Sequence, residues 1–285
     1  MQVVAHNLLA QFTNRQLKIS SEKKAKSSEK LSSGYRINRS ADDTAGLQIS
    51  EKMRHQIRGA QRAATNAQDG ISLIQTADGA LNEVHAMLQR INELAIQAAT
   101  DTNQEIDRQA IQEEINQLTT QIDQISNSTT FNNMPILKTT ETVDAAPVSP
   151  TIDDEKILHF QVGGTEGQYI EYPIRTINTT TLELTDLDVM THEAAEETME
   201  AAQNAINSVS GYRSYLGSYQ NRLEHVIAVN DNTAENTQAS ESRIRDTNME
   251  KEIVEQSKYN ILEQSAQAML TQANQSPQGI LSLLQ

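Results

Sequence analysis

The sequence predicts a mainly α protein, with long antiparallel helices in a rod-like coiled-coil bundle and a small β-hairpin insert. Three observations predict it. Of 285 residues only five are proline, four of them between Pro135 and Pro173 and the fifth at Pro277. Proline removes a helix donor and clashes with the preceding turn, so the proline-free stretches 1–134 and 174–276 permit long helices. Both stretches carry apolar residues at heptad spacing, the pattern of helices that bury one stripe against each other. Hydrophobic residues make up 37% and aromatics only 4%, with no tryptophan. That composition suits a bundle one or two side chains deep better than a layered α/β core. Two helical arms around a proline-bearing middle imply a chain whose ends fold back together.

The first segment, 2–33, permits helix but is rich in Ser, Gln, Asn and Lys with few large apolar residues. Such a segment cannot offset its ordering entropy alone and is expected to fold only against a partner. The clearest helix begins near Leu47. Met53, Ala60, Ala67, Ile74, Leu81, Leu88 and Ala95 recur every seven residues. A second row, Ile57, Ala64 and Ile71, slips by one residue and continues as Ala77, Val84, Ile91 and Ala98. Gly59, Gly70 and Gly79 interrupt it, each costing ~1 kcal/mol relative to alanine. Asp101 and Asn103 mark a turn, and a second helix is expected from about Gln104 to Ser126, with Ile111, Ile115, Leu118, Ile122 and Ile125 as its seam.

The middle changes character. Asn127–Asn133 and Thr139–Asp154 are turn-rich. Leu158, Phe160 and Val162 alternate with polar residues, as do Ile170, Tyr172 and Ile174. With Gly163–Gln168 between them they read as a β-hairpin with a longer loop. A third helix is expected from near Glu193 to about Thr237, its seam running Ala202, Ala205, Val209, Tyr212, Leu216, Tyr219, Leu223 and Val226. The last segment, 247–285, resembles the first in composition and ends in Ile280, Leu281, Leu283 and Leu284.

Composition also bounds function. The absence of cysteine excludes disulfides, thiolate metal sites and cysteine nucleophiles. No run of 18 apolar residues exists, so no membrane insertion is expected. Residues 1–17 lack the basic start, apolar stretch and cleavage site of a secretory signal, so the chain is expected to be cytosolic or exported without a cleaved signal peptide. The net charge of −15 is uneven: residues 1–62 hold 12 Lys and Arg against 5 Asp and Glu. A basic arm can bind phosphates, but no nucleic-acid motif accompanies it. Attraction to acidic segments of its own or neighbouring chains is the better reading, and no nucleic-acid partner is expected.

Two motifs suggest chemistry and do not carry it. His192-Glu193-Ala194-Ala195-Glu196 approaches the zinc-peptidase pattern, but Glu196 stands where the second histidine must be. Acidic residues favourable to a helix-start dipole explain it better. Asp42-Asp43, after Ser40, read as turn and helix-start residues rather than a carboxylate pair. No enzyme activity, metal or cofactor is expected.

The stretch Leu31–Ser50, LSSGYRINRSADDTAGLQIS, closely resembles the N-terminal signature of bacterial flagellin. Further resemblances follow in the family's order: QRAATNAQDGISLIQTADGALNEVHAMLQRINELAIQAA at 61–99, FQVGGTEGQ at 160–168, SRIRDTNMEKE at 242–252 and ANQSPQGILSLLQ at 273–285. The resemblance implies terminal helices paired as an inner coiled-coil domain lining a channel, beneath a rod of long helices. It divides the chain into an N-terminal inner-core helix and linker at 1–44 and N-terminal rod helices at 45–130. The hairpin and loops follow at 131–190, a C-terminal rod helix at 191–241 and a C-terminal inner-core helix at 242–285. The insert is too short for large outer domains, so a minimal form with a smooth outer surface is implied.

The implied function is polymerisation into the extracellular flagellar filament for swimming motility. Heterologous contacts that do not close generate an open helical polymer. The expected polymerisation interface is Leu8, Phe12 and Ile19 with Ile253, Ile261, Leu262, Met269, Leu270, Leu283 and Leu284. Gln11, Asn14, Gln264, Gln267 and Gln272 have two readings, as channel lining or as solvated faces. The resemblance further implies a type III export route, an export chaperone covering the C-terminal segment, a filament cap protein and hook–filament junction proteins as partners. The stretch QRINELAIQ, 89–97, resembles the segment gripped by the innate immune receptor Toll-like receptor 5. On that basis Gln89, Arg90, Glu93, Leu94, Gln97 and Glu114 are the expected receptor-binding residues, Arg90 through charge-assisted bonds and Leu94 as an exposed pocket-filler. The alternative reading is a hook–filament junction protein of the same fold.

Overall fold

A computed structural model describes residues 7–138 and 156–283 of the chain, without the side chains of Lys156 and 277–283. The turn-rich stretch expected at Thr139–Asp154 and the terminal Leu284 lie outside the described residues. The elements in chain order are α1 (Leu8–Ser33), α2 (Thr44–Ala98), α3 (Glu105–Ser128), β1 (Thr130–Phe131), β2 (Met134–Pro135), β3 (Lys156–Gln161), β4 (Tyr169–Ile174), α4 (His192–Arg245) and α5 (Met249–Leu283). They form two compact units: unit 1 is 1–57 with 235–285, and unit 2 is 58–234. The unit boundaries fall inside α2 and α4. The heptad rows give no local sign of a break at either boundary.

In unit 1, α1 and α5 pair antiparallel. Asn7 Nδ2 donates to the Ala273 carbonyl at 2.7 Å, Lys24 Nζ meets Glu263 Oε2 at 2.8 Å, and Ser27 Oγ donates to the Glu252 carbonyl at 3.2 Å. The seam consists of small residues. Thr13, Ser20 and Ser27, seven apart, are buried on α1, and Ala266 and Ala273, also seven apart, are buried on α5. Small side chains at heptad positions let two backbones approach closely without large apolar knobs. Asn7 caps α1 by accepting from the Ala10 amide at 3.0 Å. Gly34, at φ 76°, ends it in the left-handed conformation, and its amide bonds the Lys30 carbonyl.

The segment between α1 and α2 is tied down by Ile37, which is fully buried, and by Asp42. The Asp42 carboxylate accepts from Lys26 Nζ at 3.0 Å and from the amides of Asn38 and Arg39. The Lys26 hydrogen bond, followed by those amides, holds its pKa at about 2, well below the ordinary carboxylate value. Asp43 Oδ1 accepts from the Gly46 amide at 2.8 Å and so caps α2. The pair does turn and helix-start work, as the sequence indicates.

In unit 2, the ion pairs Arg90–Glu114 between α2 and α3 and Asp78–Arg213 between α2 and α4 bridge neighbouring helices. The heptad rows are the core: Ala67, Ile74, Leu81, Leu88 and Ala95 are buried beside Ala77, Val84, Ile91 and Ala98. They meet Ile111, Ile115 and Ile122 of α3 and Ala202, Ala205, Val209, Tyr212, Leu216 and Leu223 of α4 in one cluster. Helix α4 continues eight residues past the expected end at Thr237. Beyond Val226 the large apolar row stops, but propagating an existing helix adds one hydrogen bond per residue fixed and needs no seam.

The hairpin β3–β4 is antiparallel, with Phe160 opposite Ile170 and Leu158 opposite Tyr172. Ile170, Tyr172 and Ile174 point inward and are buried. Tyr172 Oη lies 2.9 Å from Tyr212 Oη, and its ring stands edge-on to Tyr219 at 5.7 Å. A Cβ at Gly59 would lie 3.1 Å from Gly164 Cα. The glycine that weakens α2 thus also admits the hairpin loop against it. A second, two-residue hairpin joins β1 to β2 through Asn132 and Asn133, both at positive φ, the type I′ geometry that asparagine tolerates.

Candidate assembly and recognition surfaces

The seam of unit 1 uses small residues, which leaves the large apolar residues of α1 and α5 bare. Leu8, Phe12 and Ile19 are exposed on α1, and Ile253, Ile261, Leu262 and Met269 on α5, with Phe12 at 55% and Ile261 at 64%. Leu270 is half-buried. The side chain of Leu283 lies outside the described residues, as does all of Leu284. Leu9 and Val254, the latter at 67%, are equally bare and were missed by the sequence reading. The seven-residue step from Val254 to Ile261 was the signal that could have found Val254.

Part of the basic arm is paired within the chain: Lys24 with Glu263, Lys26 with Asp42 and Arg39 with Glu29. These three cations meet this chain's own carboxylates. Gln11, Asn14, Gln264 and Gln267 are exposed on the same two helices, with Gln272.

A second surface lies on unit 2 where α2 meets α3. Arg90 Nε bonds Glu114 Oε1 at 2.9 Å, and its Nη1 reaches Glu93 Oε2 at 3.4 Å. The Glu114 hydrogen bond, then its charge, raises the Arg90 pKa further above its ordinary value. Gln89, Glu93, Gln97 and Glu114 are exposed beside it. Leu94 corrects the sequence reading. It is 2% exposed and belongs to the core cluster, because it follows Leu88 and Ile91 on the stripe that faces inward. The exposed apolar residue of this stretch is Ile96.

His192 opens α4 with Nδ1 2.8 Å from the Ala99 carbonyl and Nε2 3.4 Å from Glu196. It clips the start of α4 to the end of α2. Among the described residues no group of three or more His, Asp or Glu is placed to hold a metal ion. No helix among them is long and apolar enough to cross a membrane.

Comparison with known proteins places these surfaces in context. A model of the bacterial flagellin N-terminal helical region matches residues 4–142, and one of the C-terminal helical region matches residues 199–284. A flagellin from Halalkalibacterium halodurans is 46% identical over 284 residues, covering 99% of each chain. A flagellin from Bacillus subtilis is 46% identical over 305 residues, again covering 99% of each. Among solved structures, a putative flagellar hook-associated protein from Vibrio parahaemolyticus shares the fold, with a TM-score of 0.58 at 11% identity, over 72% of this chain and 100% of that one.

Proposed function

This chain belongs to the bacterial flagellin family, and from that premise we propose that the bare apolar faces of α1 and α5 are its polymerisation interface. A flagellin is a structural subunit of the flagellar filament, and its work is self-assembly for motility. The observation that carries the proposal is the division of labour in unit 1. The intramolecular seam consumes Thr13, Ser20, Ser27, Ala266 and Ala273, while the large residues face outward unused. Exposed apolar residues on this scale mark a contact with another molecule. The segments 1–44 and 242–285 are then the inner part of the filament, with 45–241 around them.

The interface proposal is tested by Phe12→Ala combined with Ile261→Ala. Both residues are exposed in the free subunit, so the melting temperature should hold. Elongation from seeds should slow at least about tenfold, the equivalent of 1.4 kcal/mol of lost contact. Unchanged growth refutes the assignment. Family membership also supports export to the filament by the type III route, a chaperone on the C-terminal segment, and cap and junction proteins as partners. The full-length flagellin relatives favour the filament subunit over a hook–filament junction protein.

A second reading concerns immune recognition. Gln89, Arg90, Glu93, Gln97 and Glu114 form one exposed polar face, which supports a docking site for Toll-like receptor 5. Leu94 contributes from beneath, as a core residue that positions the helix. Arg90→Ala is therefore expected to weaken receptor activation by soluble monomer without changing its melting. Equal activation by parent and variant rules this reading out.

A further inference from the structure

Residues 187–190 of unit 2 bring the chain into α4 and belong to no helix or strand, yet Val189 among them is fully buried. Buried main-chain groups need partners, and here side chains supply them. Gln112 of α3 takes two. Its Nε2 donates to the Leu187 carbonyl at 2.7 Å, and its Oε1 accepts from the Val189 amide at 2.9 Å. Those are the two bonds that a residue of a parallel strand would make. Arg108, one turn earlier on α3, donates from Nη1 to the Met190 carbonyl at 3.0 Å, and Thr198 Oγ1 of α4 donates to the Asp188 carbonyl at 2.8 Å. Arg108 also reaches the Thr100 carbonyl at 3.5 Å, and its side chain is only 13% exposed.

We propose that Gln112 and Arg108 are positioning residues that fix where α4 begins along α3. The apolar seam does not do this at that end of the unit. The buried residues of the first turns of α4 are Ala195 and Ala202, seven apart, and a seam of alanines looks the same after a seven-residue step. Polar contacts at single positions are what distinguish one register from another. Gln112 is suited to the task because its amide both donates and accepts, so it recognises the main chain of 187–189 whatever side chains that segment carries. Arg108 adds the α2–α3 turn through Thr100, so one pair of α3 side chains sets the end of α2 and the start of α4 together.

Hydrogen exchange on the full-length soluble chain tests this directly, because the Val189 amide is bonded to Gln112 itself. Gln112→Met keeps the length of the side chain and removes both bonds. It is expected to speed exchange at the Val189 amide about tenfold or more and to leave the amides of Ile115 and Leu216 unchanged. Gln117→Met, at an exposed glutamine of the same helix, should move none of them. Arg108→Met leaves Gln112 in place and is read by spin-label distances, which the chain's lack of cysteine makes clean. Glu113→Cys with Glu200→Cys reports α3 against the start of α4, and Gln117→Cys with Asn207→Cys reports α3 against a later turn; all four positions are exposed. The first distribution should broaden about twofold and the second should hold. An unchanged Val189 amide or an unchanged first distribution overturns the proposal. So does equal acceleration at Ile115 and Leu216, or equal broadening of both distributions, since either means a general loosening of unit 2.

Discussion

Removal of either terminal segment, residues 1–33 or 247–285, is expected to abolish filament growth while unit 2 stays folded. The core cluster of unit 2 draws its buried residues from Ala67 to Leu223, so neither deletion removes any of them. Each deletion does remove one helix of the α1–α5 pair, and the survivor loses the partner that covers its seam. An isolated helix of that composition has only its own propensity to hold it, which is marginal in water. The apolar face then has no scaffold in either truncation. Circular dichroism should show helix loss confined to α1 and α5, and sedimentation should find no polymer at any concentration. Filaments from either truncated chain contradict the proposed interface.

The largest single-residue effect on stability is expected at Tyr172. It is fully buried and packs against Tyr219 and, at 6.1 Å, Phe160. Burial, with the neighbouring tyrosines, pushes its hydroxyl pKa far up, so it stays neutral and shares its hydrogen bond with Tyr212. It is the residue through which the hairpin grips α4. Tyr172→Ala should cost ~3–5 kcal/mol of unit 2 stability, the range for emptying a large aromatic site. Tyr172→Phe keeps the ring and should cost only ~0.5–1.5 kcal/mol, the net worth of one hydrogen bond. Urea unfolding separates the two. An alanine variant as stable as the phenylalanine variant means that the hairpin is not anchored there.

What could be read in advance follows from which interactions have a period. The seams of unit 2 were legible because Ile, Leu and Val at heptad spacing have one physical explanation. The hairpin was legible because Ile170, Tyr172 and Ile174 alternate. The pairing of α1 with α5 left a weaker trace. Thr13, Ser20 and Ser27 keep a strict seven-residue step, but small polar residues are not scored as core. The large residues nearby read as the interface between subunits, and of these Leu8, Phe12, Ile19, Ile253, Ile261, Leu262 and Met269 are exposed. Leu94 shows the opposite failure. A motif suggested an exposed leucine, while its place one turn after Ile91 already directed it inward. The bridge between Tyr35 and Asp246 had no sequence signature, since it joins two helix breaks more than two hundred residues apart.

Seeded elongation of the full-length chain, followed by electron microscopy, tests the central claim most directly. Monomer added to short filament fragments is expected to lengthen them continuously, with growth that consumes monomer and leaves no population of fixed size. A closed oligomer of constant size that ignores the seeds would contradict an open, heterologous interface on α1 and α5, and with it the account of how this chain works.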